Sequence, residues 1–180
     1  MSKKDFDDFI NKQVNEKHNE KPIEWDARRD EWLEYLSNFY QKIEVFLGDY
    51  KKDEKLDFKY IEKDIFEEYI GSYSAPVLNI QLGSHKIKLE PIGTNLIGAK
   101  GRVDLIGANG KVKFVLVNKN SLAPKIKVNV WIEGEKPPKE DDGLCENDWE
   151  WKIATPPPRI KYIDLEQDTF LGALMEVVGG

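Results

Sequence analysis

The sequence predicts an α+β fold: N-terminal helices, one long and striped with aromatic residues, packed on a mostly antiparallel sheet of six or seven strands, with a closing C-terminal helix. Three observations predict it. Aromatic residues recur every seven positions before residue 50, which indicates one face of a long helix. Two hairpin patterns then follow each other in residues 77–118. An apolar pattern at helical spacing ends the chain.

Two helical patterns precede the sheet. Residues 5–16 place apolar side chains at helical spacing close to three aspartates, and residues 24–47 hold the stronger pattern. We expect Gly48 to end the long helix. Aromatic rather than Leu or Ile positions favour packing of its stripe on a sheet over a coiled-coil seam. The aromatic residues of the stripe are Trp25, Trp32, Phe39 and Phe46.

The first hairpin has the clearest pattern in the chain. Residues 77–90 alternate between apolar and polar around Gly83 and Ser84, and glycine in the first position of a two-residue loop is typical of a type II′ turn. This turn pairs Leu82 with His85 and Ile80 with Ile87. The resulting register collects the apolar residues on one face, so pattern and turn chemistry agree.

The second hairpin occupies residues 101–118. Asn109-Gly110 is typical of a type I′ turn, and as the loop it pairs Ala108 with Lys111. Val115 and Val117 make the second strand apolar on both faces. Because a strand of this kind is normally covered on both sides, we expect it at the centre of the sheet.

The remaining segments are assigned by pattern. Residues 49–75 favour a short strand followed by a helical or extended piece, and the glycines of residues 91–101 indicate a bent loop or bulge. Asp164 or Asp168 is expected to cap the last helix. The other predicted segments are a strand at 125–133, an exposed loop at 134–147, strands at 149–153 and 160–163, and a helix at 164–178. These assignments divide the chain into an N-terminal helical segment, 1–50, and a mainly β domain with the C-terminal helix, 51–180.

Composition indicates a soluble cytoplasmic protein. Apolar residues make up 40% of the 180 residues, but no apolar run approaches the roughly 20 residues of a membrane span. The N-terminus lacks the apolar core of a signal peptide. Cys145 is the single cysteine, so an internal disulfide is excluded.

Charge is unevenly distributed, and this suggests a binding face. The net charge is −6, yet residues 72–137 hold 10 basic and 4 acidic residues, a local balance of +6. Lysines on the polar faces of the predicted strands could form a nucleic-acid-binding surface, with Trp131 as the outward aromatic residue for base stacking. The alternative is a solvated sheet face. The candidate binding residues are Arg102, Asp104, Lys111, Lys113, Lys125, Lys127 and Trp131.

One segment resembles a catalytic core. Residues 101–105 (Gly-Arg-Val-Asp-Leu) and 111–119 (Lys-Val-Lys-Phe-Val-Leu-Val-Asn-Lys) resemble the PD-(D/E)xK nuclease family. In that family an Asp and a Glu-x-Lys on neighbouring strands hold magnesium and the attacking water. Asp104 and Lys119 match the pattern, Glu67 or Glu68 could act as the upstream carboxylate, and Val117 replaces the family's Glu. The resemblance implies an active or degenerate metal-dependent nuclease.

No complete active site is present in the sequence. His18, His85 and Cys145 lack zinc-ligand spacing, and no Gly-x-Ser-x-Gly elbow occurs. We therefore predict no catalytic residue, no metal site and no cofactor. The favoured function is a non-enzymatic protein that binds another protein, as an adaptor, an inhibitor or an immunity-like protein. The alternatives are the nuclease and the nucleic-acid-binding sheet.

Overall fold

The computed structural model describes residues 24–94, 96, 98–124 and 148–180, and it confirms the α+β fold. Seven strands form one antiparallel sheet in sequence order, and a long helix and a closing helix pack on it. No helix in this part of the chain is long and apolar enough to cross a membrane. The elements are α1 (Trp25–Lys52), β1 (Asp57–Glu67), β2 (Gly71–Leu82), β3 (His85–Gly93), β4 (Gly101–Gly107), β5 (Gly110–Asn118), β6 (Trp149–Ala154), β7 (Tyr162–Asp164) and α2 (Gln167–Val178).

The aromatic stripe of α1 packs on the sheet, as predicted. Phe39 lies between Phe114 of β5 and Trp151 of β6, with ring centroids 5.4 and 4.6 Å away. Trp32 lies directly on Gly101, where a Cβ atom would come within 2.1 Å of the indole ring. This close approach requires a glycine at the start of β4. We call the side of the sheet covered by α1 and α2 the helix face and the opposite side the far face.

The predicted end of α1 is wrong. The helix continues through Gly48 to Lys52, and the backbone amide of Asp53 donates to the carbonyl of Asp49 at 3.0 Å. Nothing lies within 4 Å of the position that a Cβ atom of Gly48 would occupy. Glycine costs an interior helical position only about 0.5–1 kcal/mol, which the packing of the stripe outweighs.

The predicted register of the first hairpin is confirmed. Leu82 pairs with His85 and Ile80 with Ile87, and Gly83 has a φ of +57°. Glycine adopts this left-handed conformation without the steric cost that a Cβ atom imposes. The turn therefore sets the pairing that the alternating pattern also requires.

The predicted register of the second hairpin is wrong by two residues. Gly107, not Ala108, closes the hairpin, by pairing with Gly110. The loop is held against α2, because the backbone amide and the side-chain Nδ2 of Asn109 donate to the last carbonyls of that helix at 3.0 and 2.6 Å. A Cβ atom on Gly107 would lie 2.4 Å from the carbonyl oxygen of Val177. A shift of two residues keeps every side chain on its predicted face.

Residues 49–75 differ most from the prediction. The short strand and the helical alternative are replaced by one 11-residue strand, β1, which pairs with β2 along its whole length. The extended alternative is therefore the one adopted as far as Glu67. The bulge expected in residues 91–101 is confirmed, since the register between β3 and β4 shifts between Pro91 and Gly93.

The C-terminal elements follow the prediction with one correction. Strand β6 lies at 149–154, β7 is a three-residue edge strand, and the last helix begins at Gln167. Neither Asp164 nor Asp168 is its N-cap, because Asp164 still belongs to β7; the cap is Glu166, whose amide donates to Thr169 Oγ1 at 2.9 Å. The predicted helix at 5–16, strand at 125–133 and loop at 134–147 lie outside the described residues.

Strand β5 is interior to the sheet and buried on both faces. Phe114 and Leu116 belong to the core cluster formed with the helices, whereas Val115 and Val117 are buried without belonging to that cluster. Since successive side chains in a strand alternate, Val115 and Val117 lie on the far face. The prediction of a strand covered on both sides is confirmed. Asp104 and Lys113 share this face.

Candidate binding surfaces

The structure brings together four of the seven candidate binding residues. Arg102 and Asp104 lie on β4, and Lys111 lies on the neighbouring strand β5. Lys113 is directly opposite Asp104 in the register. The other three candidates, Lys125, Lys127 and Trp131, lie outside the described residues.

Asp104 is a buried carboxylate that Arg102 binds through two hydrogen bonds. Arg102 donates from Nε to Oδ1 at 2.6 Å and from Nη2 to Oδ2 at 2.7 Å, and Lys111 Nζ lies 3.5 Å from Oδ2. Only 2% of Asp104 is exposed. The hydrogen bonds with Asp104 raise the pKa of Arg102. This bidentate ion pair neutralises the carboxylate and fixes its orientation.

Glu90 is a second carboxylate beside Asp104 that sequence analysis did not identify. It faces Asp104 across the β3–β4 pairing and binds Lys63 at 2.7 Å and Lys88 at 2.6 Å. The hydrogen bonds from Lys63 and Lys88 lower the pKa of Glu90. The alternating pattern already placed Glu90 on the polar face of its strand, but its neighbour could be identified only from the strand order.

The resemblance to a nuclease core is only partly reproduced in the geometry. Asp104 lies on β4 as the pattern requires, but Arg102 occupies both of its oxygens. Lys119 follows the end of β5, where its amide donates to the carbonyl of Asp148 at 2.8 Å. Among the described residues, no group of three or more His, Cys, Asp or Glu side chains is arranged to hold a metal ion.

Glu67, the candidate upstream carboxylate, belongs to a different buried network. It accepts a hydrogen bond from Tyr73 Oη at 2.6 Å and two from Thr94, at 2.9 Å each from the backbone amide and Oγ1. Burial and then the hydrogen bond with Glu67 raise the pKa of Tyr73. A Cβ atom on Gly93 would lie 2.9 Å from the carboxyl carbon, so the glycine makes room for Glu67. The network fastens the end of β1 to the segment after β3.

Strand β1 is the second surface with the properties of a binding site. It is an edge of the sheet, because among the described strands it pairs with β2 alone. Two large apolar side chains of this strand are exposed, Ile61 by 51% and Phe66 by 75%. This surface was not predicted, because the residue pattern favoured a short strand followed by a helical or extended piece rather than one long strand.

The helix-face side of β1 is covered by α1. Tyr60 Oη donates to Glu44 of α1, and Lys51 Nζ lies 3.9 Å from the centre of the Phe58 ring. These contacts join β1 to the helix, while its outer backbone edge is unpaired among the described strands. In the part of the chain that the structure describes, α1 therefore covers one face of β1 and the outer backbone edge of β1 is free to pair.

The chain matches no protein family model, no curated protein sequence and no solved structure at a significant level. Its function must therefore be inferred from its own geometry.

Proposed function

We propose that this chain is a non-enzymatic protein that binds another protein, as an adaptor, inhibitor or immunity-like protein, and that β1 is its binding edge. The observation that carries the proposal is the 11-residue strand β1, which pairs with β2 alone among the described strands and exposes Ile61 and Phe66. An edge strand presents a row of backbone N–H and C=O groups to any extended segment that lies alongside it.

The energetics of strand addition favour such a partner. Each backbone hydrogen bond gained contributes a net of about 0.5–1.5 kcal/mol. Full burial of an Ile or Phe side chain contributes about 1.5–3 kcal/mol. Since Ile61 and Phe66 are still largely exposed, a partner that covers them recovers much of this energy. The backbone supplies general affinity, and these two side chains supply selectivity for an apolar partner surface.

The same strand carries features that limit indiscriminate pairing. Lys59, Glu62 and Asp64 are exposed charges along its length. Charged side chains on an edge strand disfavour pairing with segments that do not complement them. We therefore infer a specific partner whose extended segment carries complementary charges between apolar residues.

A co-purification experiment with matched variants tests the proposal. The tagged chain is incubated with lysate of its source organism, and we expect one protein to be recovered in stoichiometric amounts. Ile61→Lys and Phe66→Lys should each lower the affinity for that protein about tenfold or more, since tenfold corresponds to about 1.4 kcal/mol. Val45→Lys is the matched control, because Val45 is 77% exposed on α1.

Two outcomes would contradict the proposal. One is recovery of nucleic acid alone. The other is recovery of a protein whose binding falls equally in Ile61→Lys and Val45→Lys, because that pattern indicates non-specific apolar adsorption. Far-ultraviolet circular dichroism of each variant checks that the fold is retained before binding is compared.

A further inference from the structure

A groove of about 480 Å³ lies between the turns of the two hairpins, and none of its lining residues in the described part of the chain belongs to β1. Its polar lining residues in the described part of the chain all carry hydrogen-bond donors, two of them lysines, and none is a carboxylate. The remaining lining residues are apolar or glycine. The donors are Asn79, Ser84, His85, Lys86 and Lys88. A concave site with several donors and no carboxylate favours an anion over a cation or a neutral ligand.

The groove continues into a row of cations across the far face. Lys88 pairs with Ile106, and Ile106 pairs with Lys111, so the two lysines lie two strands apart, at about 10 Å. Glu90 and Asp104 lie beside these lysines on the same face, where Glu90 forms an ion pair with Lys88 and Asp104 forms one with Lys111. The ion pairs thereby position the cations without placing a carboxylate in the groove.

The far face has an excess of positive charge although the chain is acidic. Six cations and two carboxylates form the connected patch, a local balance of +4 against a net charge of −6 for the chain. The cations run from β1 to β5, across four strand spacings or about 19 Å. This extent exceeds a single phosphate group. The cations are Lys63, Lys86, Lys88, Arg102, Lys111 and Lys113, and the carboxylates are Glu90 and Asp104.

We propose that this groove and the cation row bind the phosphate backbone of a nucleic acid strand. The donors and lysines contact phosphate oxygens, and neutralising the phosphates releases counterions, so affinity must fall with salt. Among the described residues, no Phe, Tyr or Trp side chain lines the groove, and His85 is the one aromatic ring there. We therefore expect phosphate contacts rather than base stacking to dominate, and binding to depend little on sequence.

Fluorescence anisotropy with a labelled single-stranded DNA oligonucleotide tests the proposal. We expect binding at low salt that weakens linearly in a plot of log affinity against log salt concentration. Lys86→Gln/Lys111→Gln removes two phosphate contacts and should flatten that slope by about 1.4, from about 0.7 for each contact with a single strand. Lys52→Gln/Lys55→Gln is the matched control, because both lysines are exposed near the end of α1 and the change in net charge is the same.

Three results would overturn the proposal. They are an absence of oligonucleotide binding at low salt, an equal change of slope in both double variants, and displacement of the oligonucleotide by inorganic phosphate at equal phosphate concentration. The last result would assign the groove to a single phosphate group. The groove shares no lining residue with β1, so Ile61→Ser, which removes the apolar side chain without adding a charge beside Lys63, should weaken protein binding and leave oligonucleotide binding unchanged. Each proposal can therefore fail alone.

Discussion

Replacing Asp104 by asparagine tests whether this carboxylate is structural. The substitution keeps the shape of the side chain and removes its charge. Asp104 is 2% exposed and accepts two short hydrogen bonds from Arg102, so the variant loses one charged hydrogen bond and weakens the other. A hydrogen bond to a charged group contributes about 1.5–3 kcal/mol.

The expected loss of unfolding free energy is about 2 kcal/mol. The Arg102 side chain is partly exposed and can regain water contacts, which places the loss in the lower part of that range. For a chain of 180 residues this corresponds to a melting temperature lower by roughly 4–8 °C. Urea unfolding followed by tryptophan fluorescence measures the free energy directly.

A double-mutant cycle separates the pair from its surroundings. Arg102→Met, Asp104→Asn and the double variant are compared, and we expect a coupling energy of about 1–3 kcal/mol. Asp30→Asn is the control, because it removes a carboxylate from an exposed ion pair with Arg29 and should leave the unfolding midpoint unchanged. If Asp104→Asn unfolds at the same urea concentration as the unmodified protein, Asp104 has no structural role and the reasoning is refuted.

Three further substitutions probe the contact of α1 with β4, the interior of α1 and the ion pairs of Glu90. Gly101→Ala should destabilise the protein by about 1–3 kcal/mol in the urea assay, because its Cβ atom would overlap the Trp32 ring. Gly48→Ala should instead stabilise the protein by about 0.5–1 kcal/mol, because nothing lies near that position. Equal effects of the two substitutions would contradict the contact between Gly101 and Trp32. Glu90 has a lowered pKa in the folded state, so its contribution is present above its ordinary value of 4.5 and is lost as pH falls through the lower folded value. The stability difference between the unmodified protein and Glu90→Gln should therefore shrink as pH falls below that value, and a difference that is constant with pH would refute the ion pairing.

Sequence patterns predicted the elements whose geometry is determined locally. Gly83 and the alternation around it are sufficient to set the first register, because both act within a dozen residues. The predicted register of the second hairpin was wrong by two residues because it depends on distant contacts. Its loop is set by Asn109 against the end of α2 and by the lack of a side chain on Gly107, and both contacts join segments about 70 residues apart.

The binding surfaces were harder to predict than the fold. The pattern around Ile61 fits both a strand and a helix, so the length of β1 depended on its pairing with β2. Glu90 and Asp104 are 14 positions apart in the sequence and become neighbours only through the order of β3 and β4. The individual polar faces could be predicted, whereas their juxtaposition depends on tertiary structure.

The adjacency of Glu90 and Asp104 determines how any loss of activity must be interpreted. Two carboxylates on neighbouring strands repel each other unless each is paired with cations. Here Lys63 and Lys88 bind Glu90, and Arg102 binds Asp104. Removing one of these charges therefore leaves its neighbours without full compensation, and the effects of substitutions in this group on stability should be non-additive. A nuclease or binding assay on Asp104→Asn is informative only together with the unfolding free energy of the same variant. A variant that is destabilised by the loss of these ion pairs would also lose activity, even if none of the paired residues contacts a substrate.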